Sequence, residues 1–151
     1  MITLLRTDSS NPDYRTLVIE LDKDLIGREG EVYDAVYAQY NKSDDIKYVV
    51  VAYDGETPIS CGAIKHYEEN VIEVKRMYLL PVYRGKGIAS MVLKELENWA
   101  VELNYSKAIL ETGTKMPEAI GLYGKNNYAI TPNYGQYAGM PDSVCFEKVL
   151  V

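Results

Sequence analysis

The densest chemistry in the chain lies in six consecutive residues, Arg84-Gly85-Lys86-Gly87-Ile88-Ala89. Two glycines one residue apart let the backbone approach a ligand closely. Successive N–H groups at the start of a helix make a concave donor cluster, and the helix dipole favours an anion there. Phosphate is the natural guest of such a nest. The flanking charge agrees, because Lys75, Arg76, Arg84, Lys86 and Lys94 fall in a window from Val74 to Lys94 that holds no acidic residue. Two common phosphate motifs do not fit. A dinucleotide fingerprint needs GxGxxG and an acidic residue about 20 positions on, and a P-loop ends in Gly-Lys-Ser/Thr. A strand-to-helix turn with no ligand stays open as the alternative.

Composition narrows the remaining possibilities. The chain has 151 residues, a net charge of −6 and 47% apolar residues, which suits one domain, 1–151, with a single core region. Residues 1–70 carry 7 basic and 14 acidic side chains, whereas 71–151 carry 9 and 8. This balance argues against nucleic acid as a partner. Cys61 and Cys145 lack CxxC spacing, and His66 is the one histidine, so neither structural zinc nor a disulfide framework is expected. Cys145 reads as core and His66 as a half-exposed structural residue. No apolar stretch reaches the roughly 18 residues of a membrane span, and Met1 to Glu20 lacks the pattern of a signal peptide. The expectation is a cytoplasmic protein with no membrane partner. Fourteen tyrosines against one Phe and one Trp suggest many rings buried at one end, with the hydroxyl facing water or a ligand.

The elements that must position the nest follow from periodicity. Tyr14, Leu17, Val18, Leu21 and Leu25 recur at helical spacing over Pro12 to Leu25, with Ser9, Ser10 and Asn11 as caps. A second helix is predicted from Glu31 to Tyr40, after the break at Gly27 to Gly30, with Tyr33, Tyr37 and Tyr40 on one face. Ile46 to Tyr53 and Ile59 to Tyr67 read as antiparallel strands around an Asp54-Gly55 turn, and Val71 to Leu80 as a third strand stopped by Pro81. The longest helix is expected from Arg84 to about Leu103. A strand at Tyr105 to Glu111, a helix at Pro117 to Lys125 and a strand at Val144 to Leu150 complete the order. A helix between two parallel strands implies a right-handed crossover, hence a mixed sheet flanked by helices, with a β-α-β-α-β C-terminal half. Thr131 to Ser143 is a long loop rich in Gly, Pro and Tyr.

The segment Glu73 to Ala89, EVKRMYLLPVYRGKGIA, closely resembles the GNAT superfamily of acyl-CoA-dependent N-acetyltransferases. Arg84, Gly87 and Ala89 match its pyrophosphate motif, Arg/Gln-x-x-Gly-x-Gly/Ala. Ala119 to Tyr128, AIGLYGKNNY, is similar to a second family segment, Ala-x-x-Leu-Tyr-x-x-x-Gly-Phe/Tyr. Asn127 replaces the glycine after that helix, a substitution asparagine suits because it tolerates the left-handed conformation. Gly121 and Gly124 within the helix are each expected to weaken it by about 1 kcal/mol relative to alanine.

The resemblance implies the family's fold, acetyl-CoA as cosubstrate without a metal, and acetyl transfer to a primary amine of a small molecule or protein by direct attack. It implies that the backbone of Met77, Tyr78 and Leu79 pairs with the pantetheine arm, and that Arg84, Gly85, Lys86, Gly87, Ile88, Ala89 and Ser90 wrap the pyrophosphate. It places Tyr123 as the acid that protonates the departing thiolate. Glu73, eleven positions before Arg84, stands as the base, with pairing to Lys75 or Lys65 as the alternative. Strand alternation puts Glu73 on one face with Lys75, Met77 and Leu79. Tyr134, Gln136 and Tyr137 in the long loop are candidates for binding the amine, the alternative being a solvated crossover. The acceptor is expected to be a small cationic molecule, and a homodimer is the usual oligomer for such a chain. A different class of function keeps the same cofactor site as a non-catalytic acyl-CoA sensor or oligomerisation module.

Overall fold

The computed structural model describes residues 1–37 and 45–151, the backbone alone for 28–37. One seven-stranded mixed sheet runs through the molecule. Its strands are β1 (Ile2–Thr7), β2 (Tyr48–Asp54), β3 (Thr57–Glu68), β4 (Val71–Leu79), β5 (Lys107–Gly113), β6 (Ala129–Thr131) and β7 (Ser143–Val149), in the spatial order β1-β2-β3-β4-β5-β7-β6. Only β4 and β5 run parallel; every other neighbouring pair is antiparallel. Among the described residues, three α-helices cover the sheet: α1 (Pro12–Tyr37), α2 (Ile88–Glu102) and α3 (Pro117–Lys125). Among the described residues, no helix is long and apolar enough to cross a membrane.

The continuous apolar run of β2 has a physical reason, for the strand is buried on both faces. Val50 and Ala52 pack with Val92, Leu93 and Leu96 of α2. Val49 and Val51 pack with Tyr14, Leu17, Val18 and Leu21 of α1. Asp54 already pairs with Thr57, so the two-residue turn is Gly55-Glu56, one position beyond the expected Asp54-Gly55, with Gly55 at φ +61°. Asn11 caps α1 through its Oδ1, which accepts the Tyr14 N–H at 3.0 Å.

Several boundaries differ from the periodic reading. The helix expected to stop near Leu25 continues through Gly27 and Gly30 to Tyr37, so residues 31–37 extend α1 rather than start a second helix. An unbroken ladder of intrahelical bonds offsets two glycines more readily than a new nucleus would. The end of the predicted second helix, including Tyr40, lies outside the described residues. Strands β1 and β6 lie outside the periodic reading: β1 pairs with β2 at one sheet edge, and β6, which includes Thr131 of the expected loop, pairs with β7 at the other. Arg6 fastens the β1 edge to α2, donating from Nε to Glu95 and from Nη1 to Glu102, each at 2.7 Å, with its guanidinium 4.9 Å from the Trp99 ring centre. Helix α2 begins at Ile88, not Arg84, because Pro81–Tyr83 form a 3₁₀ turn and left-handed Gly87 is its N-cap.

The central correction concerns β4. Cys61 pairs with Tyr78 and Ala63 with Lys75, leaving Gly62 opposite both Arg76 and Met77. Arg76 takes φ +59° to absorb the extra residue, which makes a β-bulge. The bulge inverts the alternation. Before it, Val74 faces α2 and Glu73 and Lys75 face away; after it, Met77 packs on the α2 side while Tyr78 joins the α1 side. Glu73 and Lys75 therefore do not share a face with Met77 and Leu79. Gly62 makes the crossing possible, since a Cβ there would collide with Met77 and lie 2.8 Å from Leu96.

Candidate active site

Strands β4 and β5 pair only where Val71 to Glu73 meet Lys107 to Ile109. Beyond Glu73 they part, so the donors and acceptors on that side of Val74 to Leu79 face a gap instead of a neighbouring strand. A cavity of about 320 Å³ fills the gap. Met77, Tyr78 and Leu79 form one wall, Gly85 and Gly87 to Ser90 the end, and Glu118 to Tyr123 of α3 much of the other wall. A smaller cavity of about 90 Å³ lies beside it, bordered by Glu73, Lys75, Arg76 and Glu111, with Leu21 and Leu25 from α1. Met77, Met116, Ala119 and Tyr123 line both. The larger space is a cleft with an open strand edge and an anion nest; the smaller is a charged alcove next to it.

The nest has the geometry its sequence implies. Gly85 and Gly87 have φ of +82° and +79°, a region where a side chain is strained. The first helical donor bond of α2 runs from Met91 N–H to Gly87 C=O at 3.2 Å, so the amides of Ile88, Ala89 and Ser90 precede it at the positive end of the dipole. Arg84 spans the cleft mouth, with Nη1 3.8 Å from Glu118 of α3 and Nη2 3.4 Å from the Leu79 carbonyl. Lys86 does not line the cavity; its ammonium sits 5.5 Å over the Tyr83 ring. The Tyr78 ring packs with the α1 core, and Leu21 and Asp24 of α1 also border the cavity.

Glu118 and the nest therefore compete for one guanidinium. Replacing Glu118 with Gln removes a carboxylate beside the place where an anionic ligand would sit. We expect coenzyme A to bind several-fold tighter to Glu118→Gln, measured by titration calorimetry. Equal or weaker binding would show that the carboxylate does not oppose the ligand.

Tyr123 sits between the two cavities, and its ring meets Tyr128 and Phe146 at 5.8 Å between centres. Burial, helped by the charge of Glu111, pushes its phenol well above the usual range, so the proton stays on the oxygen near neutral pH. Asn127, at φ +71°, closes α3 in the left-handed conformation expected of it, and Asn126 Nδ2 donates to Ser90 Oγ at 3.1 Å, tying α3 to the start of α2. Glu73 is buried beneath the alcove. Its Oε2 accepts the Tyr134 hydroxyl at 2.6 Å, and its Oε1 lies 3.8 Å from Lys75 Nζ, whose ammonium is destabilised chiefly by burial. Arg76 faces α1, where Nη2 donates to Asp22 at 2.5 Å.

The loop residues divide. Tyr137 lines the alcove but is 2% exposed, a core ring more than a surface for a ligand. Tyr134 reaches Glu73, and Gln136 lines neither cavity. His66 hydrogen-bonds the Tyr105 hydroxyl at 2.7 Å on the exposed side, and burial raises the Cys145 thiol, as inert roles require. Glu111, Met116 and Leu21 also line the alcove, and periodicity offered no signal for them, because strand divergence and helix packing bring them there.

A sequence model of the acetyltransferase (GNAT) family matches residues 16–128, spanning β2 to β5 and both walls of the cleft. The chain belongs to the GNAT acetyltransferase family. An IAA acetyltransferase from Azospirillum brasilense is 32% identical over 99% of this chain and 98% of its own. A Klebsiella pneumoniae protein assigned to the acyl-CoA N-acyltransferases has a TM-score of 0.81 at 26% identity, covering 100% of this chain and 99% of that one. The PaiA N-acetyltransferase from Thermoplasma acidophilum, solved with coenzyme A, shares the fold at a TM-score of 0.69 and 21% identity, over 99% of both chains. This GNAT chain is thus an acyltransferase, and its mixed sheet is the family's sheet.

Proposed function

We propose that the protein transfers an acetyl group from acetyl-CoA to the amine of a small molecule, by direct attack of the amine on the thioester. The observation that carries this reading is the open β4 edge running into the left-handed glycines of the nest. An extended amide-bearing arm pairs with a free strand edge, and a pyrophosphate suits the N–H cluster at Gly85 to Ser90. The 320 Å³ cleft has room for such an arm. Relatives that bear coenzyme A or acetyl-CoA on the same fold support the choice of cosubstrate.

Acetyl-CoA would supply an activated acyl group; the rest is done by this chain. Met77 to Leu79 hold and orient the arm through rigid backbone groups, already aimed at a carbonyl. Arg84, beside the nest, adds charge against phosphate. Tyr123 borders both cavities with its proton retained, which places an acid between donor and acceptor spaces. Glu73 in the alcove is positioned to take a proton from an ammonium directly or through water. Glu73 and Glu111 offer carboxylate oxygens to an amine there, beside the cations Lys75 and Arg76.

The test is release of free thiol from acetyl-CoA in the presence of a panel of small amines. Transfer to at least one amine is the expected result. Tight coenzyme A binding with no thiol release across the panel would overturn it and favour an acyl-CoA sensor.

A further inference from the structure

Tyr134 holds more than a place in a loop. Its hydroxyl donates to Glu73 Oε2 across 61 residues of sequence, at 2.6 Å. Its ring is clasped at right angles by two others, Tyr67 of β3 with centres 5.3 Å away and Tyr137 at 5.6 Å. The segment carrying it is tightly pinned. Asn133 Nδ2 lies within 3.2 Å of the carbonyls of Tyr137, Met140 and Ser143, and Tyr137 N–H bonds back to the Tyr134 carbonyl at 2.9 Å. Gly135 takes φ +51°, and a Cβ at that position would stand 2.9 Å from the Tyr67 hydroxyl, so glycine lets the backbone settle against β3. A solvated crossover would need none of these devices.

We propose that Tyr134 is a positioning residue for proton transfer: by holding Oε2 it fixes the Glu73 carboxylate in one orientation. The inference rests on the reading of Glu73 as the base. A donor on Oε2 leaves Oε1 as the oxygen turned toward Lys75 and the alcove. The phenol can serve as a permanent donor because burial, with the neighbouring Glu73 charge, keeps its proton in place far above neutral pH. The titratable groups around Glu73 are Lys75 on its own strand, Lys65 opposite it on β3, Tyr134 from the loop, Cys145 of β7, and Arg76 and Glu111 at the alcove. Tyr134 is the one that can be altered by a single oxygen without changing charge.

The experiment compares wild type, Tyr134→Phe, Glu73→Gln and the double variant by kcat and KM for the best amine, with coenzyme A affinity as the check on folding. Tyr134→Phe keeps the ring and removes only the donor. The carboxylate is then free to turn, and kcat should fall about tenfold with the amine KM nearly unchanged. In the Glu73→Gln background the same substitution should do little. Asn133→Ala, which loosens the loop without touching the ring, should lower kcat in the same way. An unchanged kcat in Tyr134→Phe, or a rise in amine KM alone, overturns the positioning role while leaving Glu73 as base. An unchanged kcat in Glu73→Gln overturns the base reading, and this proposal with it.

Discussion

Tyr123→Phe is expected to fold, bind coenzyme A with nearly unchanged affinity, and lose about 10²-fold or more in turnover. The prediction rests on placement and protonation together. The phenol lies at the boundary of the two cavities, and burial keeps its proton on, as an acid for a departing thiolate requires. Its ring contacts with Tyr128 and Phe146 survive the substitution, so the packing of α3 on β7 should too. Single-turnover kinetics with saturating amine separates the chemical step from product release. A variant with wild-type turnover would show that water or another group delivers the proton.

Gly87→Val should raise the dissociation constant for acetyl-CoA by about tenfold or more. The protein itself has room for the new side chain, since no heavy atom lies within 4 Å of the Cβ position. The loss therefore comes from filling the space a pyrophosphate would occupy and from strain at φ +79°. Gly87→Ala shares the strain and carries less bulk, so the two variants should differ in affinity more than in melting temperature. Equal affinities in wild type and Gly87→Val would remove the nest from cofactor binding.

The parts of the fold that were legible in the sequence are those where one force dominates. The β2 to β3 hairpin is legible because two β-rich runs flank a glycine able to take positive φ, and α2 because its apolar stripe packs on one face. The nest was readable because only glycine suits its angles. The errors cluster where tertiary structure overrides local pattern. Short β1 depends on Arg6 reaching α2, a partner about ninety residues away. Gly27 and Gly30 look like a break, but the helix continues through them. Strict alternation in β4 failed at Arg76, a residue with no intrinsic preference for positive φ, because the bulge is accommodated by Gly62 on the opposite strand. Tyr134 was recognised as a functional candidate for its π-face, whereas its hydroxyl makes the decisive contact.

The parting of β4 and β5 has a consequence for how the protein persists as well as for what it does. A sheet with one open internal edge is a folded state that a ligand bound along that edge would complete. Backbone amides along Val74 to Leu79 should exchange with deuterium more readily than those of β2, and slow when the edge is filled. By mass action, a ligand at a hundred times its dissociation constant adds about 2.7 kcal/mol to the folded state. For a chain of this size, that is a rise of several degrees in melting temperature. The lifetime of the polypeptide against proteolysis would then follow the supply of the molecule that fills its sheet.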